Sequence, residues 1–215
     1  MEYFSGVGTI HTAFSKNGLS AQGFDIIRNA QYESISTATG FLTALNLVRR
    51  MRTALAMAHF ATVCSSWVWL SRGSTKRSNI NVLGCSSSAS AQEGNLQVSR
   101  MVLLMMFIAA KRCKWVLEQP ATSLMDRHPD MKVVAPWTEI RTWMGMFGAT
   151  VKKPTKLFAN TEMILQLHRR LDPTRASEWN AGEAITRRTA NGRVQGTRAL
   201  KDRRARKMNQ TCEKH

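Results

Sequence analysis

Acidic side chains are scarce in this sequence: 14 Asp plus Glu stand against 31 Lys plus Arg, a net charge of +17 over 215 residues. That shortage points to a polyanionic partner, nucleic acid before a membrane surface. Cysteine is also sparse. Cys64, Cys85, Cys113 and Cys212 lie far apart, with no Cys-x-x-Cys or His-x-His pairing. The spacing argues against a disulfide framework and against a metal site, and favours a reducing interior, nuclear or cytoplasmic. Long hydrophobic runs are missing. The longest, Met101–Ala110, is too short to span a bilayer. Met1 leads straight into motif-like sequence rather than a secretory signal. A soluble intracellular chain with no membrane attachment is therefore expected. No internal repeat is evident, which removes solenoids and propellers.

What is present is enough apolar sequence for a sizeable core, with charge concentrated at one end. At 215 residues, one principal domain is the natural expectation. Apolar periodicity runs to about Arg169 and then fades. Within 187–207, Arg187, Arg188, Arg193, Arg198, Lys201, Arg203, Arg204, Arg206 and Lys207 face a single acid, Asp202. The expected organisation is an α/β domain over residues 1–165 and a basic, partly disordered extension over 166–215.

Along the chain, Met1–Phe4 reads as a strand, Ser5–Gly8 as a turn, and Ile10–Asn17 as a helix stopped by Gly18. Ala21–Ile26 reads as a second strand closing on Asp25. Strand, glycine turn, helix, strand and acid make a nucleotide-type βαβ half. In such a unit the glycines let backbone approach a ligand, the helix start favours negative charge, and the acid can take ribose hydroxyls. A glycine turn that binds nothing is the plain alternative. Thr39–Leu55 reads as an amphipathic helix, and Asn95–Arg112 as an apolar one whose methionines fill core. Gly84–Gln92, rich in Ser and Ala, reads as a mobile loop or lid. Trp137–Met146 looks helical. Phe147–Val151 looks like a strand leaving into a basic loop over Lys152–Lys156.

Two positions carry candidate chemistry. Ala58–Val63 is a β-prone run that delivers Cys64 to a polar, basic stretch containing Arg72, Lys76 and Arg77. In an open α/β sheet, reactive groups gather where strands end, and nearby cations lower a thiol's pKa towards nucleophilic use. The alternative is a buried cysteine acting as a small hydrophobe. Lys114–Leu117 then delivers Glu118, followed by Gln119 and Pro120. A carboxylate straight after an apolar strand is costly to desolvate without a partner or a task, and burial there suits it to hold a proton. A helix cap is the alternative role.

Taken in order, these pieces resemble the cytosine-5 DNA methyltransferases. Phe4-Ser5-Gly6-Val7-Gly8 is similar to that family's cofactor loop, Phe-x-Gly-x-Gly, and Asp25 falls where its ribose-binding acid closes the second strand. Val63-Cys64-Ser65-Ser66 is similar to the Pro-Cys nucleophile motif, and Leu117-Glu118-Gln119-Pro120 to the glutamate motif after it. The run Cys64–Arg77 and Lys153–Leu157 resemble methyltransferase-like sequences of algae and other protists more closely still. Val63 stands where the family has proline, Gly73 comes later than usual, and there is no Gln-x-Arg-x-Arg strand.

The resemblance implies a Rossmann-like methyltransferase sheet with helices on both faces. It implies S-adenosyl-L-methionine bound by Phe4, Ser5, Gly6, Gly8 and Asp25, with Cys64 adding to carbon 6 of a cytosine flipped out of DNA. Glu118 would contact the ring nitrogen and amine, and Arg72, Lys76 and Arg77 would hold phosphates. Two alternatives remain open: a catalytically inactive, methyltransferase-like nucleic-acid binder that works through its basic tail, and a methyltransferase acting on RNA.

Overall fold

Short apolar segments at Glu2–Tyr3 (β1), Gly23–Phe24 (β2), Met57–Phe60 (β3), Lys114–Pro120 (β4), Thr138–Trp143 (β5) and Pro154–Ala159 (β6) join into one mixed sheet. Its strand order is β2-β1-β3-β4-β6-β5. This computed structural model describes residues 1–52, 55–149, 152–174, 186–188 and 194–196. β1 runs parallel to both β2 (Tyr3 opposite Phe24) and β3 (Tyr3 opposite Phe60), and β3 runs parallel to β4 (Phe60 opposite Leu117). β6 turns antiparallel to β4, with Glu118 opposite Leu157. Because β2 lies on one side of β1 and β3 on the other, the chain reverses its winding between β1 and β3. In open α/β sheets that reversal opens a crevice at the carboxyl ends of the strands.

Alternation along the strands fixes the two faces. Tyr3, Phe24, Ala58, Phe60, Trp115, Leu117 and Phe158 belong to the main core, with Ala44 and Val48 of α2 (Ala38–Arg50) and Met101, Leu104, Met105 and Ile108 of α4 (Ala89–Ala110). The Tyr3 and Phe60 rings stack 4.9 Å apart, and the buried Tyr3 hydroxyl donates to Ala44 O at 3.0 Å. Val116, Leu157 and Ala159 point the other way, into a smaller cluster with Ile140 and Ile164. That face also carries α1 (Thr9–Lys16), which buries none of its own side chains. The remaining short helix, α3, spans Arg72–Thr75.

Local chemistry sets the helix starts. The Thr37 hydroxyl accepts from Gly40 N at 3.0 Å to open α2, and Ser88 accepts from Ala91 N to open α4. The Ser88 cap corrects the lid reading of 84–92. From Ala89 onward this stretch is the first turn of α4, and the Gln92 amide donates back to Ser86 O.

Two further expectations are corrected. The segment read as a helix over 137–146 is β5 followed by a tight 3-10 turn at Met144–Phe147. In Thr138–Trp143, Ile140 and Thr142 are buried while Glu139 and Arg141 are exposed, a period of two. The turn at 144–147 also takes up the start of the strand read over 147–151, and residues 150–151 lie outside the described ones. The basic loop over 152–156 instead runs into β6.

The chain divides into one unit of Met1–Thr142 with Pro154–Arg169, and a second of Trp143–Lys153 with Arg170–His215. The second contains a hairpin of β7 (Thr186–Arg188) and β8 (Val194–Gly196). Of the rest of the basic extension, residues 166–174 are described, and 175–185, 189–193 and 197–215 lie outside the described residues. Among those described, no helix is long and apolar enough to cross a membrane.

Candidate active site

The carboxyl ends of three adjacent parallel strands carry the three motifs. The glycine turn leaves β1, the Cys64 loop leaves β3, and Glu118 sits in β4, one residue beyond the Leu117 that pairs with Phe60. Glu118 is thus within the strand rather than after it, and it is half-buried.

The glycine turn is held from β2. Asp25, itself buried, accepts from Gly6 N at 2.7 Å through one carboxylate oxygen and from Ile27 N at 2.9 Å through the other. Ser5 N donates to Phe24 O at 3.2 Å, and Gly8 N donates to Ser5 O at 2.7 Å. Phe4, Gly6 and Gly8 all adopt positive φ (58°, 51° and 75°), which Gly tolerates and Phe does not favour. The two glycines differ in what surrounds them. A Cβ on Gly6 would meet nothing within 4 Å, whereas one on Gly8 would fall 2.1 Å from the His11 ring. Gly6 therefore offers open backbone to a ligand, and Gly8 is demanded by packing.

Two residues of this region were missed in the sequence. Glu2, buried in β1, accepts from Ile10 N at 3.4 Å and His11 N at 2.8 Å, and its carboxylate lies 2.7 Å from His11 Nδ1. The negative group at the start of α1 is thus supplied by the chain itself. A buried acid immediately before an aromatic-glycine turn was the available signal.

The Cys64 loop is clamped on both sides. Before it, the buried Thr62 donates to Met101 Sδ at 2.8 Å, and its carbonyl accepts from Gln119 Nε2 at 2.8 Å. After it, Trp67 N donates to Cys64 O at 2.9 Å, and Trp67 O accepts from Leu124 N at 3.1 Å. Cys64 is half-buried between these clamps, and the Gln119 bond ties its loop to the residue next to Glu118. Gln119 in turn accepts from Ser123 Oγ at 3.0 Å.

Of the three cations expected to hold phosphate, two are exposed and one is not. Arg72 and Lys76 are open to solvent. Arg77 is 1% exposed and donates to Val82 O at 2.5 Å, Asn95 Oδ1 at 2.9 Å and Ala91 O at 2.9 Å. Its guanidinium carbon lies 3.4 Å from the Trp67 ring centroid, and burial lowers its pKa to about 10. Arg77 anchors the loop to the start of α4. Lys156 behaves similarly. It is buried in β6, 2.5 Å from Asp126 Oδ1 and 3.1 Å from Ser123 O.

His128 packs edge-on against Trp67, with ring centroids 5.8 Å apart, and its Nδ1 accepts from Asp130 N at 3.2 Å. Burial holds its pKa below the usual histidine range; Asp130 pulls it upward, and the charge of Arg77 adds to the depression. The unfolded chain, with an imidazole near pKa about 6.5, then binds more protons than the folded one. His128 therefore supports the fold fully above about pH 6.5 and less as pH falls below it. His128→Gln should flatten the loss of urea midpoint between pH 7.5 and 5.5; an unchanged loss would assign it to other groups.

A cavity of about 670 Å³ lies at the opposite, amino end of the strands, lined by Glu2, His11, Phe14, Leu47, Arg52 and Met57 among others. None of Cys64, Asp25 or Glu118 lines it. Among the described residues, no group of three or more His, Cys, Asp or Glu side chains is placed to hold a metal ion. Neither a protein-family model nor a curated protein matches this chain.

Proposed function

We propose that the chain is a methyltransferase that uses S-adenosyl-L-methionine and acts on cytosine carbon 5 in DNA. The observation that carries the reading is the convergence of the glycine turn, the Cys64 loop and Glu118 on neighbouring strand ends, at the point where the winding reverses.

The residues at the turn fit the cofactor. Gly6 leaves open space at its α-carbon, and each Asp25 oxygen accepts only one backbone bond among those described, which leaves lone pairs for ribose hydroxyls. Glu2 narrows the ligand class further. Its carboxylate already takes the Ile10 and His11 N–H groups at the start of α1, so it would repel a phosphate there and attract a positively charged sulfonium.

When bound, S-adenosylmethionine supplies an electrophilic methyl group. The chain's own task is to make carbon 5 reactive. The Cys64 thiolate adds to carbon 6, which breaks the ring's conjugation and shifts an electron pair towards carbon 5. Glu118 hydrogen-bonds the ring nitrogen and exocyclic amine, which stabilises the charge that develops there. Loss of the carbon 5 proton later returns the electron pair that expels Cys64. The +17 charge supports a polyanionic substrate.

The test is calorimetric titration with S-adenosylhomocysteine alongside labelled methyl transfer to cytosine-containing DNA. Binding at micromolar concentration, and transfer that vanishes in Cys64→Ala while cofactor binding persists, are expected. Absence of both in the full-length chain would overturn the reading. Salt-sensitive DNA binding without cofactor heat would favour the inactive nucleic-acid binder, which the same charge supports.

A further inference from the structure

Beside Cys64 the chain presents a narrow strip whose two sides differ sharply. On the inner side, Trp67, Thr75 and Arg77 are 0%, 0% and 1% exposed. On the outer side, Trp69 is 48% exposed, and Arg72, Gly73 and Lys76 are open to solvent. The 3-10 turn Trp69–Ser71 passes directly into α3, so Trp69 and Arg72 fall at i and i+3 on one side of continuous helical turns, and Lys76 caps the end of α3 in the left-handed conformation (φ 55°). The core already has its tryptophan anchor in Trp67, and burial does not account for the second, two residues on. A Cβ on Gly73, between the two cations, would meet nothing within 4 Å, so backbone there is open to close approach.

We infer that this strip is a binding site for single-stranded nucleic acid, in which Trp69 stacks on a base while Arg72 and Lys76 hold the flanking phosphates. An indole half open to solvent offers a base a stacking partner whatever its identity, and neighbouring cations follow the backbone. A paired base in a duplex has both faces covered by its neighbours, so the strip favours unpaired strands. The inference deepens the reading of the site, on which it rests for the role of Cys64 alone. It adds that the base meeting the thiol comes from a strand already open, and that Trp69 helps to place it.

The experiment is fluorescence anisotropy of the full-length chain with a labelled single-stranded DNA oligonucleotide, the RNA of the same sequence, and the matching DNA duplex, each over a salt series. Trp69→Ala should weaken single-strand binding roughly tenfold, with little change in salt slope, since stacking releases no counterions. Trp69→Phe should restore most of the affinity. Arg72→Gln and Lys76→Gln should each reduce the slope by about 0.7. Tighter binding of DNA or of RNA supports the strip and identifies the strand. Wild-type affinity in Trp69→Ala, or equal losses on single strand and duplex, would overturn it. Titration of the same variants with S-adenosylhomocysteine separates the two readings. Cofactor binding without a Trp69 effect removes only the strip, and a Trp69 effect without cofactor binding removes only the methyltransferase.

Discussion

Replacing Arg77 with alanine should destabilise the protein by about 3–5 kcal/mol, a large share of a domain's whole stability. The side chain is 1% exposed, makes three hydrogen bonds and covers one face of the fully buried Trp67. Truncation would leave Val82 O and Asn95 Oδ1 without their donor and open a void beneath the indole, and the two losses add. Arg77→Lys should recover little, because an ammonium cannot reach three acceptors from a stacked plane. Arg77→Met should recover more, since it fills the space and removes a cation held in a dehydrated place. Urea midpoints at pH 7.5 give the order; a loss below about 1 kcal/mol for alanine would show that Trp67 holds the loop without its partner. The salt slope of nucleic-acid binding should stay at the wild-type value in Arg77→Met, because this guanidinium faces α4 and the indole rather than phosphate.

Arg77 also shows where the sequence stops being informative. Lys76 and Arg77 are adjacent cations in a polar run, and nothing local distinguishes the exposed one from the buried one. The difference comes from Trp67, ten residues earlier, and Asn95, eighteen later, which only the folded chain brings around the guanidinium. Lys156 was hidden in the same way, because its partner Asp126 lies thirty residues away and a lysine after Lys-Lys-Pro-Thr reads as solvated. β5 was misread because Trp137, Ile140, Trp143 and Met144 mimic a helical spacing, while the period-2 alternation of Glu139, Ile140, Arg141 and Thr142 occupies only four positions. By contrast β1, α1, α2, β3, α4 and β4 each carry a local signal. A glycine stops α1, a threonine cap opens α2, apolar residues mark the body of α4 although its Ser- and Ala-rich start reads as a loop, and apolar runs mark β3 and β4. The candidate site inherits that legibility because its motifs lie at the ends of those elements. Its supports do not: Glu2, Thr62 and Gln119 act through contacts that no spacing rule displays.

The two glycines of the turn should separate folding from binding. Gly8→Ala is expected to destabilise by about 3 kcal/mol, combining about 1 kcal/mol for a non-glycine residue at positive φ with the overpacking of a crowded ring. The new methyl would sit 2.1 Å from His11 Cε1, so the ring would have to leave Glu2 and turn into the cavity that it lines. Its Nδ1 is held 2.7 Å from Glu2, and the same Cε1 lies so close to Gly23 that a Cβ there would meet it at 2.6 Å. Gly6→Ala faces only the backbone term, about 1 kcal/mol at φ +51°, because a methyl there meets no atom within 4 Å. In a chain of this size that is a melting shift of about 2–4 °C. If the open space at Gly6 is where the cofactor's backbone contact lies, Gly6→Ala should fold and yet lose S-adenosylhomocysteine binding. Gly8→Ala should lose both together. The comparison needs only melting curves and titrations on the two variants. Two equal melting shifts would mean that His11 can swing aside, and would remove the packing account of Gly8. Wild-type cofactor binding by a folded Gly6→Ala would move the ligand away from the turn.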